Sequence, residues 1–267
     1  MVVRRLIAKL SSTNESPKLP PCRIAGLTYN DEPALRNVVF VGGLHRSGTT
    51  LLEHYLHSEY ELSVLRADVP ESEGQHLQTV YQPAQTYGGP GRFAFNRQMF
   101  DDMDTLTDHA ACRTTIIADW SKFVIGSEAA LLEKSPTNLT KIPWLRKVFP
   151  GSVFVIVVRD PRAVSAATQK WSNTSLEELM MHWNVAYSVA LRDSGDDCYF
   201  IRYEDFCVSP DRAIAATGLS QHLVQRRHPI QLEARFQELH NNNGEYLHLH
   251  ACKYYGSGVW KHFGYNV

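Results

Sequence analysis

The feature that most constrains this chain is Val153–Val158, VFVIVV, six apolar residues without a polar break, followed at once by Arg159, Asp160 and Pro161. A strand wetted on one face alternates apolar and polar residues. An unbroken, β-branched run suits a strand buried on both faces, and such strands belong to parallel sheets covered by helices. Asp160–Pro161 then fits a helix start, with a capping carboxylate and proline at the first helical position. Val38–Gly42 (VVFVG) has the same character. It too leads into a loop and then a helix, on which Leu51, Leu52, Tyr55 and Leu56 recur at helical spacing.

The remaining pattern extends this unit. Residues 62–65 read as a short strand and residues 71–81 as a helix or loop. Residues 82–95 (QPAQTYGGPGRFAF) hold three glycines and two prolines and read as a loop. Its length is that of a lid or substrate wall, for which Tyr81, Tyr87, Phe93 and Phe95 offer aromatic surface. Arg113–Val124 predicts a helix with Ile116, Ile117, Trp120, Phe123 and Val124 on one face. Ala130–Glu133 predicts a strand. Leu139, Ile142, Leu145, Val148 and Phe149 mark a helix ended by Pro150–Gly151. Ser175 and Glu178 form a capping box ahead of Leu176, Leu179, Trp183, Tyr187 and Leu191. Cys198–Tyr203 predicts the last strand, with two helical stretches beyond. The order predicts an α/β, three-layer domain with a central, mainly parallel sheet flanked by helices. Ligands of such sheets sit at the carboxyl ends of the strands. The residues after Val41, Glu133, Val158 and Arg202 therefore face one crevice.

Composition narrows the partners. The chain has 267 residues, enough for one substantial domain. We expect an arm over 1–35, with a linker-like Ser11–Pro33, and a single domain over 36–267. With 27 basic and 28 acidic residues, the net charge of −1 lacks the basic excess of nucleic-acid or membrane-surface binders. Cys22, Cys112, Cys198, Cys207 and Cys252 are odd in number and contain no C-x-x-C pair. This argues against a disulfide framework or thiolate zinc site and for reduced thiols in the cytoplasm. Asn14, Asn138 and Asn173 lie in glycosylation sequons that matter only in a secreted chain. No stretch approaches a transmembrane length, and MVVRRLIAKLSSTNES lacks the apolar centre of a signal peptide. His248 and His250 sit two apart, a spacing open to metal on a strand, but no third ligand accompanies them and we expect no metal.

Residues 42–50, GGLHRSGTT, lie between the first strand and its helix. Gly43 and Gly48 have the G-x-x-x-x-G spacing that turns successive backbone N–H groups into one concavity at a helix N-terminus. A nucleoside triphosphatase would follow the second glycine with lysine. Here Thr49 and Thr50 follow, and the cation is Arg46, inside the loop. Such a loop suits a tetrahedral anion held without a lysine–magnesium clamp. The alternative is an ordinary glycine turn. At the other strand end, the forked guanidinium of Arg159 suits a second phosphate. Its alternative is an ion pair with Asp160 or Glu204.

These segments resemble the PAPS-dependent sulfotransferases, in the bacterial and tyrosylprotein-sulfotransferase-like branch (PAPS is 3′-phosphoadenosine-5′-phosphosulfate). HRSGTT resembles that family's 5′-phosphosulfate loop. VFVIVVRDPRAVSAATQKW at 153–171 resembles its 3′-phosphate motif. Glu133–Lys134–Ser135–Pro136 and Arg202–Tyr203–Glu204–Asp205 resemble two further family steps, all in family order over about 36–210. The resemblance implies a P-loop-like fold and PAPS as co-substrate. His45, Arg46, Ser47, Gly48, Thr49 and Thr50 would surround the 5′-phosphate, Arg159 would hold the 3′-phosphate, and Tyr203 would contact the adenine. Tyr203 is equally readable as a core tyrosine at a strand end. Two positions depart from the family. Ala167 replaces the usual 3′-phosphate serine, with Ser165 and Thr168 as substitutes. Leu51 stands where many members stack adenine on tryptophan, leaving Trp171 or an aromatic of KYYGSGVWKHFGY for that role.

Sulfuryl transfer needs in-line attack, positive groups on the moving oxygens and a base. The resemblance assigns Lys134 to the bridging oxygen. The alternative is a surface lysine paired with Glu133. For the base we choose Glu73, with Glu71, Asp68 and His76 behind it; a solvated acidic turn is the alternative for each. The expected reaction moves a sulfuryl group to a carbohydrate, phenol, lipid or natural-product hydroxyl. The acceptor is a small molecule or glycan; its identity and the oligomeric state are not written in the sequence. The rival functions are a P-loop-type small-molecule kinase and a non-catalytic nucleotide-binding module.

Overall fold

The computed structural model describes residues 37–237, 239–250 and 253–267; the expected arm, its linker, Asn14, Cys22 and Cys252 lie outside them. The first unit is strand β1 (Asn37–Gly42), the glycine loop and helix α1 (Thr49–Glu59). The chain continues through β2 (Ser63–Leu65), α2 (Arg97–Thr105), α3 (His109–Trp120), β3 (Val124–Ile125) and β4 (Ala130–Lys134). Then follow α4 (Ile142–Val148), β5 (Val153–Val158), α5 (Pro161–Gln169), α6 (Leu176–Asp193) and β6 (Cys198–Arg202). Helices α7 (Tyr203–Val208) and α8 (Pro210–Thr217) follow, with two four-residue helices, α9 (Ala234–Gln237) and α10 (Gly244–Leu247), beyond.

The six strands form one sheet in the order β3-β2-β4-β1-β5-β6. All pairings are parallel except β2 with β3. Strand β1 shows why its sequence has no polar break. Val38 and Phe40 enter the core on one face with Trp183 and Tyr187 of α6, while Val39 and Val41 meet Leu52 and Leu56 of α1 on the other. The three-layer α/β arrangement expected from the sequence is present. Asp160 caps α5 through Arg162 N, and Ser175 and Glu178 close the capping box of α6.

Two expectations fail. The helix predicted to Val124 ends at Trp120, and Val124–Ile125 form the antiparallel edge strand β3. Apolar spacing alone favoured helix. The β-branched pair instead bonds along β2, and Gly126 at φ 109 ends it. The aromatic wall also fails in large part. Tyr81, Tyr87 and Phe93 are core residues, leaving only Phe95 of the four exposed. The 82–95 segment contains two short 3₁₀ turns, Ala84–Tyr87 and Phe93–Phe95, that carry Tyr87 and Phe93 inward. Residues 71–81, read as a helix or loop, form a loop that contains the 3₁₀ turns Pro70–Ser72 and Gly74–His76.

Candidate active site

The glycine loop sits where β1 meets α1, and its backbone explains its composition. Gly43 has φ 149, and a Cβ there would lie 2.8 Å from both Ser47 Oγ and the Val157 carbonyl. Gly48 has φ 103, and a Cβ would press to 2.6 Å from the Tyr203 ring. Both positions exclude side chains by conformation and by space. Helix α1 has no side-chain cap, so its first amides remain available to an anion. Arg46 adopts a left-handed φ of 70, which turns its side chain outward to 6.0 Å over the exposed Trp171 ring. Ser47 is fully buried with no partner for its hydroxyl among the described residues. Thr49 is buried and Thr50 half-buried at the first turn of α1.

At the end of β5, Arg159 is buried, but neither predicted carboxylate holds it. Asp160 pairs with Arg162 at 2.8 Å. Glu204 accepts from the Asp160 amide, Asn243 Nδ2 and Tyr265 Oη. Arg159 instead donates through Nε to Asn243 Oδ1 at 2.7 Å, through Nη2 to Asn242 Oδ1 at 2.8 Å and through Nη1 to the Arg46 carbonyl at 2.9 Å. Its guanidinium lies 4.4 Å over the Tyr203 ring, and Tyr203 Oη donates to the His240 carbonyl. One cation thus ties the glycine loop, the start of α7 and the Asn242–Asn243 segment together. Neutral amide oxygens occupy the directions in which a phosphate would accept. Asn242, Asn243 and Tyr246, whose ring is 5.7 Å from Arg159, carry no motif in the sequence. Ser165 and Thr168, the proposed substitutes at the Ala167 departure, face elsewhere. They line a small pocket with His45, His182, Gly91 and Leu179, and Thr168 Oγ1 donates to the His45 carbonyl.

The third group forms at the end of β4. Lys134 stands opposite Val41 in the parallel register, on the strand next to the one that leads into the glycine loop. It is 4 % exposed and donates to Glu73 Oε1 at 3.1 Å. Glu133 is not its partner. That carboxylate is fully buried and accepts from Gly74 N, Ser135 Oγ and Asn138 Nδ2. Glu73 Oε2 accepts from Gln75 Nε2 at 2.5 Å, while His76 Nε2 stands 3.7 Å away, beyond a hydrogen bond. Burial alone would raise the Glu73 pKa, but the His76 imidazole and the Lys134 ammonium outweigh it and hold the carboxyl below its usual range. His45 completes the cluster. Burial pushes its pKa down to about 4, with Glu73 opposing and Lys134 and His76 assisting, so it is neutral at pH 7. Of the four base candidates, the structure brings Glu73 and His76 together with Lys134. Asp68 and Glu71 are exposed on the same turn.

No group of three or more His, Cys, Asp or Glu residues suited to a metal occurs among the described residues; His250 Nδ1 instead faces Tyr255 Oη at 2.7 Å. Cys112, Cys198 and Cys207 are free thiols. None of the described helices is long and apolar enough to cross a membrane.

A mainly parallel sheet with a glycine loop at one strand end and a basic side chain at each of two others makes an α/β domain whose carboxyl edge is chemically suited to an anionic ligand. More narrowly, residues 38–216 match the sulfotransferase family, well over half of the chain, and the chain belongs to that family. It is 27% identical over 191 residues to protein-tyrosine sulfotransferase 2 of Gallus gallus, covering 67% of this chain and 49% of that protein. It is also 27% identical over 199 residues to protein-tyrosine sulfotransferase 1 of Danio rerio, covering 69% and 52%. The chain thus spans about half the length of the curated relatives it matches. Its fold is that of the sulfotransferase domain from the Synechococcus PCC 7002 olefin synthase, with a TM-score of 0.53 at 16% identity over 90% of this chain and 98% of that one.

Proposed function

We propose that this protein is a PAPS-dependent sulfotransferase that moves a sulfuryl group to a hydroxyl acceptor by in-line displacement. The observation that carries the proposal is the buried Lys134–Glu73 pair, 3.1 Å apart, at the strand end beside a glycine loop that has no lysine of its own. The residues fit the donor's two anions. Arg46, His45, Ser47 and the amides of Gly48, Thr49 and Thr50 would surround the 5′-phosphate. Arg159 would take the 3′-phosphate once Asn242 and Asn243 yield their bonds, and Ser165 or Thr168 would join it only by turning from the pocket they line. Tyr203, already against Arg159, would meet the adenine. PAPS supplies the sulfuryl group and leaves as adenosine 3′,5′-bisphosphate.

The chain's own groups divide the remaining work. Lys134 turns from Glu73 to the bridging oxygen, offsetting charge as the sulfur–oxygen bond to the phosphate breaks. Glu73 Oε1, released from the ammonium, loses a stabilising charge and becomes basic enough to take the acceptor proton as the new sulfur–oxygen bond forms. His76 lies beside this carboxylate; Glu71 and Asp68, being exposed, stand behind it as candidates. The domain is read as 36–267 with an arm at 1–35. The acceptor is read as a small-molecule or glycan hydroxyl, and the compartment as cytoplasmic.

Ligand-induced stabilisation tests this reading. Adenosine 3′,5′-bisphosphate should raise the melting temperature without magnesium, and Mg-ATP should do so poorly. Equal or better stabilisation by Mg-ATP would sink the proposal in favour of the kinase reading. A panel of acceptors with labelled PAPS then identifies the hydroxyl class.

A further inference from the structure

One buried cation has no place in the scheme above. Lys141, at the start of α4, is 1 % exposed and forms no salt bridge among the described residues. Lysine is rarely this buried without a carboxylate partner, because desolvating the ammonium costs free energy that a hydrophobic side chain would not. Burial accordingly pushes its pKa down to about 7, with Glu133 and Glu73 opposing. Its ammonium sits 4.5 Å over the Tyr81 ring and donates to Thr137 Oγ1 at 2.9 Å.

The hydrogen bonds lead in one direction. Thr137 Oγ1 donates to Gln75 Oε1 at 3.2 Å, and Gln75 Nε2 donates to Glu73 Oε2 at 2.5 Å. Thr137 and Gln75 are themselves buried, at 0 % and 1 % exposure. Every donor in the chain points toward the same carboxylate oxygen. Aligned donors polarise one another, so the positive end at Lys141 strengthens the bond that reaches Glu73. An amide in the middle passes polarisation but does not shuttle a proton, which makes this a device for holding a carboxylate rather than a proton wire.

We propose that Lys141 is a positioning residue for Glu73, acting through Thr137 and Gln75 to pin Oε2 and leave Oε1 free for chemistry. The proposal rests on the reading of Glu73 as the base. The structural alternative is that Lys141 only balances Glu133. That carboxylate, however, already accepts from three donors of its own. The charged or titratable groups that face Lys141 are Glu133 from β4, Glu73 from the turn after β2, and the Tyr81 phenol.

The test follows the Glu73 carboxylate by isotope-edited infrared difference spectroscopy on the full chain, with Glu73→Gln as the reference. In Lys141→Met the Glu73 titration should move up by about one pH unit. In Thr137→Val it should move the same way by less. Lys141→Met should melt no lower than the parent, since a buried unpaired ammonium has gone. Turnover with PAPS should fall at least about tenfold, with the Kd for adenosine 3′,5′-bisphosphate unchanged. A Glu73 titration that stays put in Thr137→Val overturns the inference, and that variant decides alone if Lys141→Met does not fold. So does a large loss of melting temperature in Lys141→Met with turnover intact in Thr137→Val, which would mark Lys141 as the counter-charge of Glu133. A parent chain that sulfates no acceptor overturns the sulfotransfer reading instead, and leaves the infrared result to judge the Lys141 link.

Discussion

The two strand ends proposed to hold the donor's phosphates are built by opposite means. At the end of β1 the donors are contiguous backbone amides, aimed by Gly43 and Gly48, whose positive φ values no ordinary side chain would share. At the end of β5 the donors belong to one side chain, Arg159. Its partners Asn243 and Asn242 lie 84 and 83 positions away. A backbone site survives the loss of any single side chain. A side-chain site vanishes with one truncation and depends on distant residues to be aimed at all. On the other side of β1, at the end of β4, lies the Lys134–Glu73 pair, which depends on neither.

The sharpest test of this division is Lys134→Ala. Turnover should fall about a thousandfold, while adenosine 3′,5′-bisphosphate binds as before at both ends. Unchanged turnover would remove Lys134 from the chemistry. Next in size is an acid effect on the loop side. The folded His45 pKa, about 4, lies below its ordinary 6.5, so the unfolded chain binds the proton first as the pH falls. Stability should therefore drop from about pH 6.5 to pH 4 and level off below, by at most about 3 kcal/mol from this residue. Melting curves of His45→Gln should be flatter over that range; curves parallel to the parent would show that the loop carries no such burden. Arg159→Ala should weaken adenosine 3′,5′-bisphosphate by about ten- to a hundredfold and leave a ligand without the 3′-phosphate untouched. Calorimetry on both ligands checks this, and equal losses for the two would erase the distinction between the strand ends. Smallest of all, Thr50→Val should cost about three- to tenfold in the same assay, because the amides of the loop remain.

What the residues reveal in advance follows the same division. The loop at 42–50 and the strand–Arg–Pro segment at 153–161 are legible because their local structure is written in consecutive residues. Period, glycine spacing and capping chemistry all act within a few positions. Lys134 is legible for the same reason, at the end of a readable strand. Asn242 and Asn243 are not, since their role exists only when a segment of no regular pattern folds back onto Arg159. Gln75 and Lys141 hide differently. Polar residues in turns normally face water, and nothing local announces that these two are buried. The 82–95 aromatics misled for the complementary reason. Glycine and proline correctly announced irregular backbone, but Tyr87 and Phe93, in its 3₁₀ turns, and Tyr81 just before it are core residues. The edge strand β3 is two residues long, too short for period to distinguish it from the end of a helix.

The outward turn of Arg46 gives the molecule a built-in optical gauge. Of the five tryptophans, Trp120, Trp144, Trp183 and Trp260 are buried, and Trp171 alone is open, at 73 %. The guanidinium that would grip the donor's phosphate rests near that one indole. When Arg46 swings toward an anion, the emission and iodide quenching of a single fluorophore should change, so occupancy of the loop can be followed in real time without a label or any knowledge of the acceptor.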